Sequence, residues 1–229
     1  MTTIIGIQGE GFALACADSQ VSDISTDGAI TQVVTLRESS GKLGTNGRYI
    51  LGAAGDVRAI NILHHAFVPP AAPPNLKGKK LDHFMTVKFI PALRECFETQ
   101  GYAAPQTEQS EHMAEQGSSV IVVVNGVIYT VESDYSWFSD SVGIYALGTG
   151  AQYAMGALHA LTNKIKNLNL NTARTYALKA MAAASKFDPY TGAPYQTYVQ
   201  EDKKPKDSVN VHKNKRPVKK TVKPKKIGK

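Results

Sequence analysis

The chain has 229 residues, 42% of them hydrophobic, which is enough to bury one good-sized core and points to one domain, at most two. No apolar run approaches the ~20 residues that cross a bilayer. No charged segment followed by an apolar one reads as a secretory signal; with Cys16 and Cys96 as the only cysteines, a disulfide framework is excluded and a reducing, cytoplasmic setting is expected.

The formal net charge of +7 is unevenly placed. Residues 203–229 hold twelve Lys/Arg against one acid, Asp207, while residues 1–202 carry a net −4. The reading is a folded domain over 1–202 and a basic tail over 203–229, too poor in apolar residues to fold alone.

The apolar positions begin at Ile4 and Ile5, and a partner strand, residues 12–17, follows the turn Gly9-Glu10-Gly11. The start of the chain is thus expected inside a sheet, with Thr2 at the tip. Residues 30–37 read as a short strand, and residues 48–52 as another, ending in the small-residue turn Ala53-Ala54-Gly55. Asp56 is a candidate N-cap for a helix through Phe67, with Val57, Ile60 and Leu63 on one face. The Pro-rich stretch 68–80 reads as a loop. A second helix is expected from Asp82 to Thr99, kinked at Pro91, and the polar segment 101–117 reads as a further loop.

Residues 119–132, SVIVVVNGVIYTVE, hold two β-branched runs around Asn125-Gly126, the pair preferred in a tight type I′ hairpin. A strand at 144–147 precedes Gly148-Thr149-Gly150, and a helix is expected from Ala151 toward Lys166. Asn171 or Thr172 caps a further Ala-rich helix ending near Lys186; a turn at 187–192 and a closing strand at 195–199 complete the order. Strands, two helices, strands, two helices and a strand argue for α+β layers rather than alternating βαβ units.

The chemistry starts at Met1-Thr2. Removal of Met1 would leave a terminal threonine whose hydroxyl and α-amine form a nucleophile–base pair within one residue. The amine's ordinary pKa of about 7.7–8.0 leaves a neutral fraction near pH 7 that can accept the hydroxyl proton. Asp18, at the end of the second strand, returns near the strand that carries Thr2. Lys42, in "SGKLG", precedes another strand; an ammonium beside the terminal amine lowers its pKa, and a buried Asp keeps that ammonium in place. Taken singly, a Met-Thr start, a strand-end Asp and a lone Lys are commonplace.

Together they carry a resemblance. "TTIIGIQGEGFALACADSQ" resembles the opening of proteasome β-type subunits and of the HslV-type peptidases, members of the N-terminal-nucleophile (Ntn) hydrolases. "YALGTGAQYAMGALHAL" resembles that family's Gly-Ser-Gly segment and the helix after it, and "FDPYTGAP" its Asp-x-x-Ser-Gly turn. The similarity spans residues 2–60 and 119–200, in order. It implies a four-layer αββα sandwich and hydrolysis of peptide bonds by Thr2 through an acyl-enzyme ester. Asp18 and Lys42 are implied as the supporting pair, Thr149 and Asp188 as the groups that orient the amine, and Thr191 beside them. Gly55 is implied as the backbone donor to the oxyanion. The sequence departs from the family pattern in having Thr149 and Thr191 where Ser is usual, and a small gap between Lys42 and Gly55 shifts the register. The stretches at 68–80 and 101–117 and the tail stand as additions. The resemblance further implies polypeptide substrates, subunits stacked in a homo-oligomeric double ring, an ATP-dependent unfoldase as partner, and no cofactor or metal.

Other features read more plainly. His64-His65 lack a third ligand at metal spacing and read as a surface or groove pair. Asp23 and Asp27 flank a turn and are expected in solvent, and Cys16 reads as a small core residue. No complete nucleotide-binding fingerprint is present. A catalytically idle ring relative, and a nucleic-acid-associated protein acting through the tail, are the alternative functional classes.

Overall fold

The computed structural model describes residues 2–103, 117–162 and 168–201. Strands β1 (Thr3–Gly9) and β2 (Phe12–Asp18) form the first hairpin. A separate hairpin follows, β3 (Gln20–Ile24) with β4 (Ile30–Thr35), and then β5 (Leu43–Asn46) with β6 (Tyr49–Ala54). Helix α1 (Val57–His65) leads through the Pro-rich stretch to α2 (Lys79–Phe84), a π-helical turn (Met85–Phe89) and α3 (Ile90–Thr99). Strands β7 (Ser119–Val124), β8 (Val127–Val131), β9 (Trp137–Phe138) and β10 (Ile144–Gly148) come next. Helices α4 (Ala151–Thr162) and α5 (Leu170–Phe187) and strand β11 (Tyr195–Glu201) close the described chain.

The strands form two main antiparallel sheets, one ordered β10-β1-β2-β11 and the other β5-β6-β7-β8-β9. Successive side chains of a strand point to opposite faces, and the sequence uses both. On β2, Phe12, Leu14 and Cys16 pack with Ala177, Met181 and Ala184 of α5, whereas Ala13, Ala15 and Ala17 face the other sheet. On β6, Tyr49, Leu51 and Ala53 pack under α1 and α3, whereas Ile50 and Ala54 join Ile121, Val123, Ile128 and Leu147 between the sheets. Three apolar clusters separate four layers, α4/α5, sheet, sheet and α1–α3. The expected αββα sandwich is present.

Local chemistry sets the element ends. Asp56 caps α1 as expected, its carboxylate accepting the Arg58 N–H at 2.8 Å. The β7–β8 turn has φ +52° at Asn125 and +76° at Gly126, the two left-handed positions a type I′ turn requires. The long helical segment departs from regular α geometry just ahead of Pro91, the expected kink. Its irregularity is the π-helical turn at Met85–Phe89, where the Ile90 N–H reaches back five residues to the Met85 carbonyl, directly before Pro91, which has no N–H to give. The cap of α5 is Asn169, whose Oδ1 accepts the Thr172 N–H at 2.9 Å; Asn171 and Thr172 already lie inside the helix. The β3–β4 hairpin, expected only as a strand at 30–37, leaves Val33, Val34, Ile24 and Ile30 exposed. Asp23 and Asp27 are exposed near its tip, as expected.

Met1, most of the 101–117 loop, the predicted end of α4 at Lys166 and the basic tail, with its nucleic-acid reading, lie outside the described residues. No described helix is long and apolar enough to cross a membrane.

Candidate active site

The start of β1 is buried, with Thr2 2% and Thr3 0% exposed. The period of two along β1 puts Thr3 with Ile5 and Ile7 on the face covered by α4 and α5, and Thr2 with Ile4 on the face toward the second sheet. β10 and β2 hold β1 from either side, pairing Thr3 with Gly148 and Ile4 with Ala17.

Asp18, at the end of β2, is fully buried. Its Oδ1 accepts the Thr3 N–H at 2.9 Å and the Lys42 ammonium at 2.7 Å. Its Oδ2 accepts the N–H groups of Gln20 at 3.0 Å and Gly192 at 3.2 Å. A buried carboxylate is tolerated only when its lone pairs are met in this way. The Lys42 side chain is 1% exposed. Burial pushes its pKa below the ordinary lysine value, an effect opposed by the Asp18 charge and hydrogen bond and, more weakly, by Asp188.

A second carboxylate approaches from the helix side. Asp188 is the residue after α5, and its Oδ2 accepts the hydroxyls of Thr149 at 2.7 Å and Thr191 at 2.6 Å. Thr191 Oγ1 lies 2.6 Å from Thr3 Oγ1, and the Gly150 N–H donates to Thr3 Oγ1 at 3.1 Å. The Thr149 N–H donates to the Thr2 carbonyl at 2.9 Å. Gly148 makes that contact sterically possible. With φ +90°, a Cβ there would sit 1.8 Å from the Thr2 carbonyl oxygen.

The structure therefore gathers Thr2, Asp18, Lys42, Thr149, Asp188 and Thr191 around one strand end. Gly55 sits at the same edge, following Ala54, whose Cβ lies 3.4 Å from where a Gly148 Cβ would be. Its φ of +138°, with Ser118 Oγ within 2.5 Å of any added Cβ, restricts the position to glycine. The next N–H, that of Asp56, donates to Ser118 Oγ at 3.1 Å, and Ser118 Oγ also bonds the Tyr102 hydroxyl at 2.7 Å.

Sequence reasoning gave no role of their own to Thr3, Gly148, Gly150 and Gly192. The alternation along β1 already places Thr3 on the helix-side face, but the glycines act through contacts between segments far apart in the chain. His64 is half-buried, with Nε2 3.2 Å from the Leu51 carbonyl, and burial lowers its pKa. Among the described residues no group of three or more His, Cys, Asp or Glu is placed to hold a metal ion. Cys16 is a core residue as expected, its thiol pushed up to about 11 by burial.

No protein-family model matches the chain, and no curated protein matches it either. Solved structures do. Thiobacillus denitrificans BPH aligns with a TM-score of 0.64 at 20% identity, over 87% of this chain and 97% of that one. The same protein in complex with epoxomicin aligns at 0.62 and 19%, over 87% and 98%. Eukaryotic HslV from Trypanosoma brucei aligns at 0.56 and 18%, over 87% and 99%. The chain has the Ntn-hydrolase fold of the proteasome β-type and HslV-type proteins.

Proposed function

We propose that this chain is an N-terminal threonine peptidase, active once Met1 is removed. The Thr2 hydroxyl attacks the carbonyl carbon of a peptide bond and its proton passes to the Thr2 α-amine. The backbone N–H of Gly55 stabilises the oxyanion. The protonated amine returns its proton to the departing peptide amine, leaving an ester on Thr2, and water then attacks that ester to release the second product. Lys42 holds positive charge beside the amine, favouring its neutral, basic form, and Asp18 positions Lys42. Asp188, with Thr149 and Thr191, orients the groups around the amine.

The observation that carries this reading is Asp18, which joins the buried Lys42 ammonium to the Thr3 N–H at one carboxylate oxygen, one residue from the proposed nucleophile. The fold shared with a protein solved in complex with epoxomicin supports it. By the same reading the substrates are polypeptides, the subunits close into a double ring with the sites inside, and an ATP-dependent unfoldase feeds the chamber.

The test is mass spectrometry of the purified protein before and after epoxomicin, beside hydrolysis of a fluorogenic peptide. Loss of Met1, turnover, and an adduct confined to the N-terminal peptide are expected. An adduct elsewhere, or turnover with Met1 retained, overturns the mechanism.

A further inference from the structure

Thr3 has no part in the proposed chemistry, yet the two carboxylates of the site meet at it. Its N–H donates to Asp18 Oδ1 at 2.9 Å, and its hydroxyl lies 2.6 Å from Thr191 Oγ1 and 3.1 Å from the Gly150 nitrogen. Proton counting fixes the direction of each bond. The Thr149 and Thr191 hydroxyls both donate to Asp188 Oδ2. A hydroxyl carries one proton. That of Thr191 is committed to Asp188, so its oxygen can only accept at the contact with Thr3. Thr3 therefore donates to Thr191 and accepts from Gly150. The chain runs one way, from the Gly150 N–H through Thr3 and Thr191 to Asp188.

The peptide group joining Thr2 to Thr3 is held at both ends as well. Its N–H is fixed by Asp18, and its carbonyl accepts the Thr149 N–H at 2.9 Å. A peptide group is planar, so a plane fixed at both atoms leaves Thr2 little more than rotation about its own backbone and side-chain bonds.

We propose that Thr3 is a positioning residue, its hydroxyl tying the Thr2–Thr3 peptide through Thr191 to Asp188 so that Thr2 meets the substrate carbonyl in one geometry. The inference rests on the threonine-peptidase reading of Thr2. Valine has nearly the shape of threonine but no hydroxyl. Thr3→Val keeps the strand's packing and leaves the Asp188–Thr149–Thr191 cluster intact, while the Gly150 N–H loses its acceptor and Thr191 its donor.

The experiment compares full-length wild type with Thr3→Ser, Thr3→Val and Thr3→Ala, Met1 removal being confirmed for each by mass. The readouts are kcat and KM on a fluorogenic peptide, the rate of epoxomicin modification, and thermal unfolding. Thr3→Ser is expected to keep kcat within about twofold, while Thr3→Val and Thr3→Ala lose on the order of tenfold or more in kcat and in modification rate, with KM little changed. Three results overturn the proposal: unchanged kcat in the Val and Ala variants, a Ser variant as impaired as the Val variant, or loss of cooperative unfolding in both Val and Ala. The last assigns Thr3 to holding the fold. A wild type with neither turnover nor adduct overturns the underlying reading instead, and this inference with it.

Discussion

Lys42 carries its charge into a place where charge is costly, and the sign of its effect can be worked out. Its ammonium is buried against Asp18. Under the proposed mechanism it disfavours a second positive charge on the Thr2 amine, so the amine's pKa falls below its ordinary ~8. Activity rises with pH as the amine loses its proton. Lys42→Ala restores a higher amine pKa, and the rising limb of the pH–rate profile is expected to move to higher pH, with about a tenfold loss at pH 7 for each unit. Peptide hydrolysis from pH 6 to 9 by both proteins checks it; an unmoved profile removes Lys42 from the site. At this scale much was legible in advance. That Thr2 and Asp18 lie close together is legible in the first hairpin, and that Lys42, Thr149, Asp188 and Thr191 join them is legible in the family resemblance. Thr3 was hidden by its type, since a strand threonine is ordinary unless the elements at its tip are known.

Elements were legible where their signal is local. Asp56 announces α1, and Asn125-Gly126 announces the β7–β8 hairpin, because a cap and a turn are decided by a few adjacent residues. The Pro-rich stretch was not legible. Nothing in its composition shows that it is pinned to the second sheet, by the Tyr49 hydroxyl to the Pro70 carbonyl at 2.7 Å and by Asn125 Nδ2 to the carbonyls of Pro73 at 2.8 Å and Leu76 at 3.1 Å. Asn125 thus serves as a left-handed turn residue and as a loop anchor. Asn125→Ala is expected to destabilise the protein by about 2–3 kcal/mol, through the left-handed φ imposed on alanine and two carbonyls left without their donor. Asn125→Gly relieves the strain but not the lost bonds, and is expected to fall in between. Urea unfolding of the three proteins measures both parts.

At the scale of the whole molecule, several acids are buried in their neutral form. Burial raises the Cys16 thiol to about 11 and the Tyr135 phenol to about 12, and pushes Tyr49 and Tyr129 upward as well. A group whose folded pKa is raised keeps a proton that the unfolded chain has lost, so stability falls as pH rises from the unfolded to the folded value. Lys42, whose folded pKa is lowered, acts in the opposite sense between its folded value and 10.5. The raised groups outnumber it, and a lower urea midpoint is expected at pH 10 than at pH 8. An equal midpoint removes the burial argument. The proposed ring makes a separate demand. The β3–β4 hairpin leaves Val33 55% exposed with Val34, Ile24 and Ile30 beside it, and a two-stranded hairpin is marginal alone. Light scattering is expected to give a mass many times the 24.7 kDa of one chain; a stable monomer at micromolar concentration rules the ring out.

The strand order also sets a timetable. β1 pairs with β10, Thr3 opposite Gly148, and β2 pairs with β11, Asp18 opposite Tyr195, so the first hairpin waits for partners that leave the ribosome much later. The β5-β6-β7-β8 ladder joins segments that are made sooner, and β7 and β8 are joined by a tight turn. During synthesis the second sheet is expected to order first, while the strand bearing the candidate nucleophile stays open to solvent and to enzymes that trim a nascent chain. Pulse-labelled hydrogen exchange on the refolding protein checks this sequence of events: amides of Val120–Val124 should gain protection before those of Ile4–Ile7.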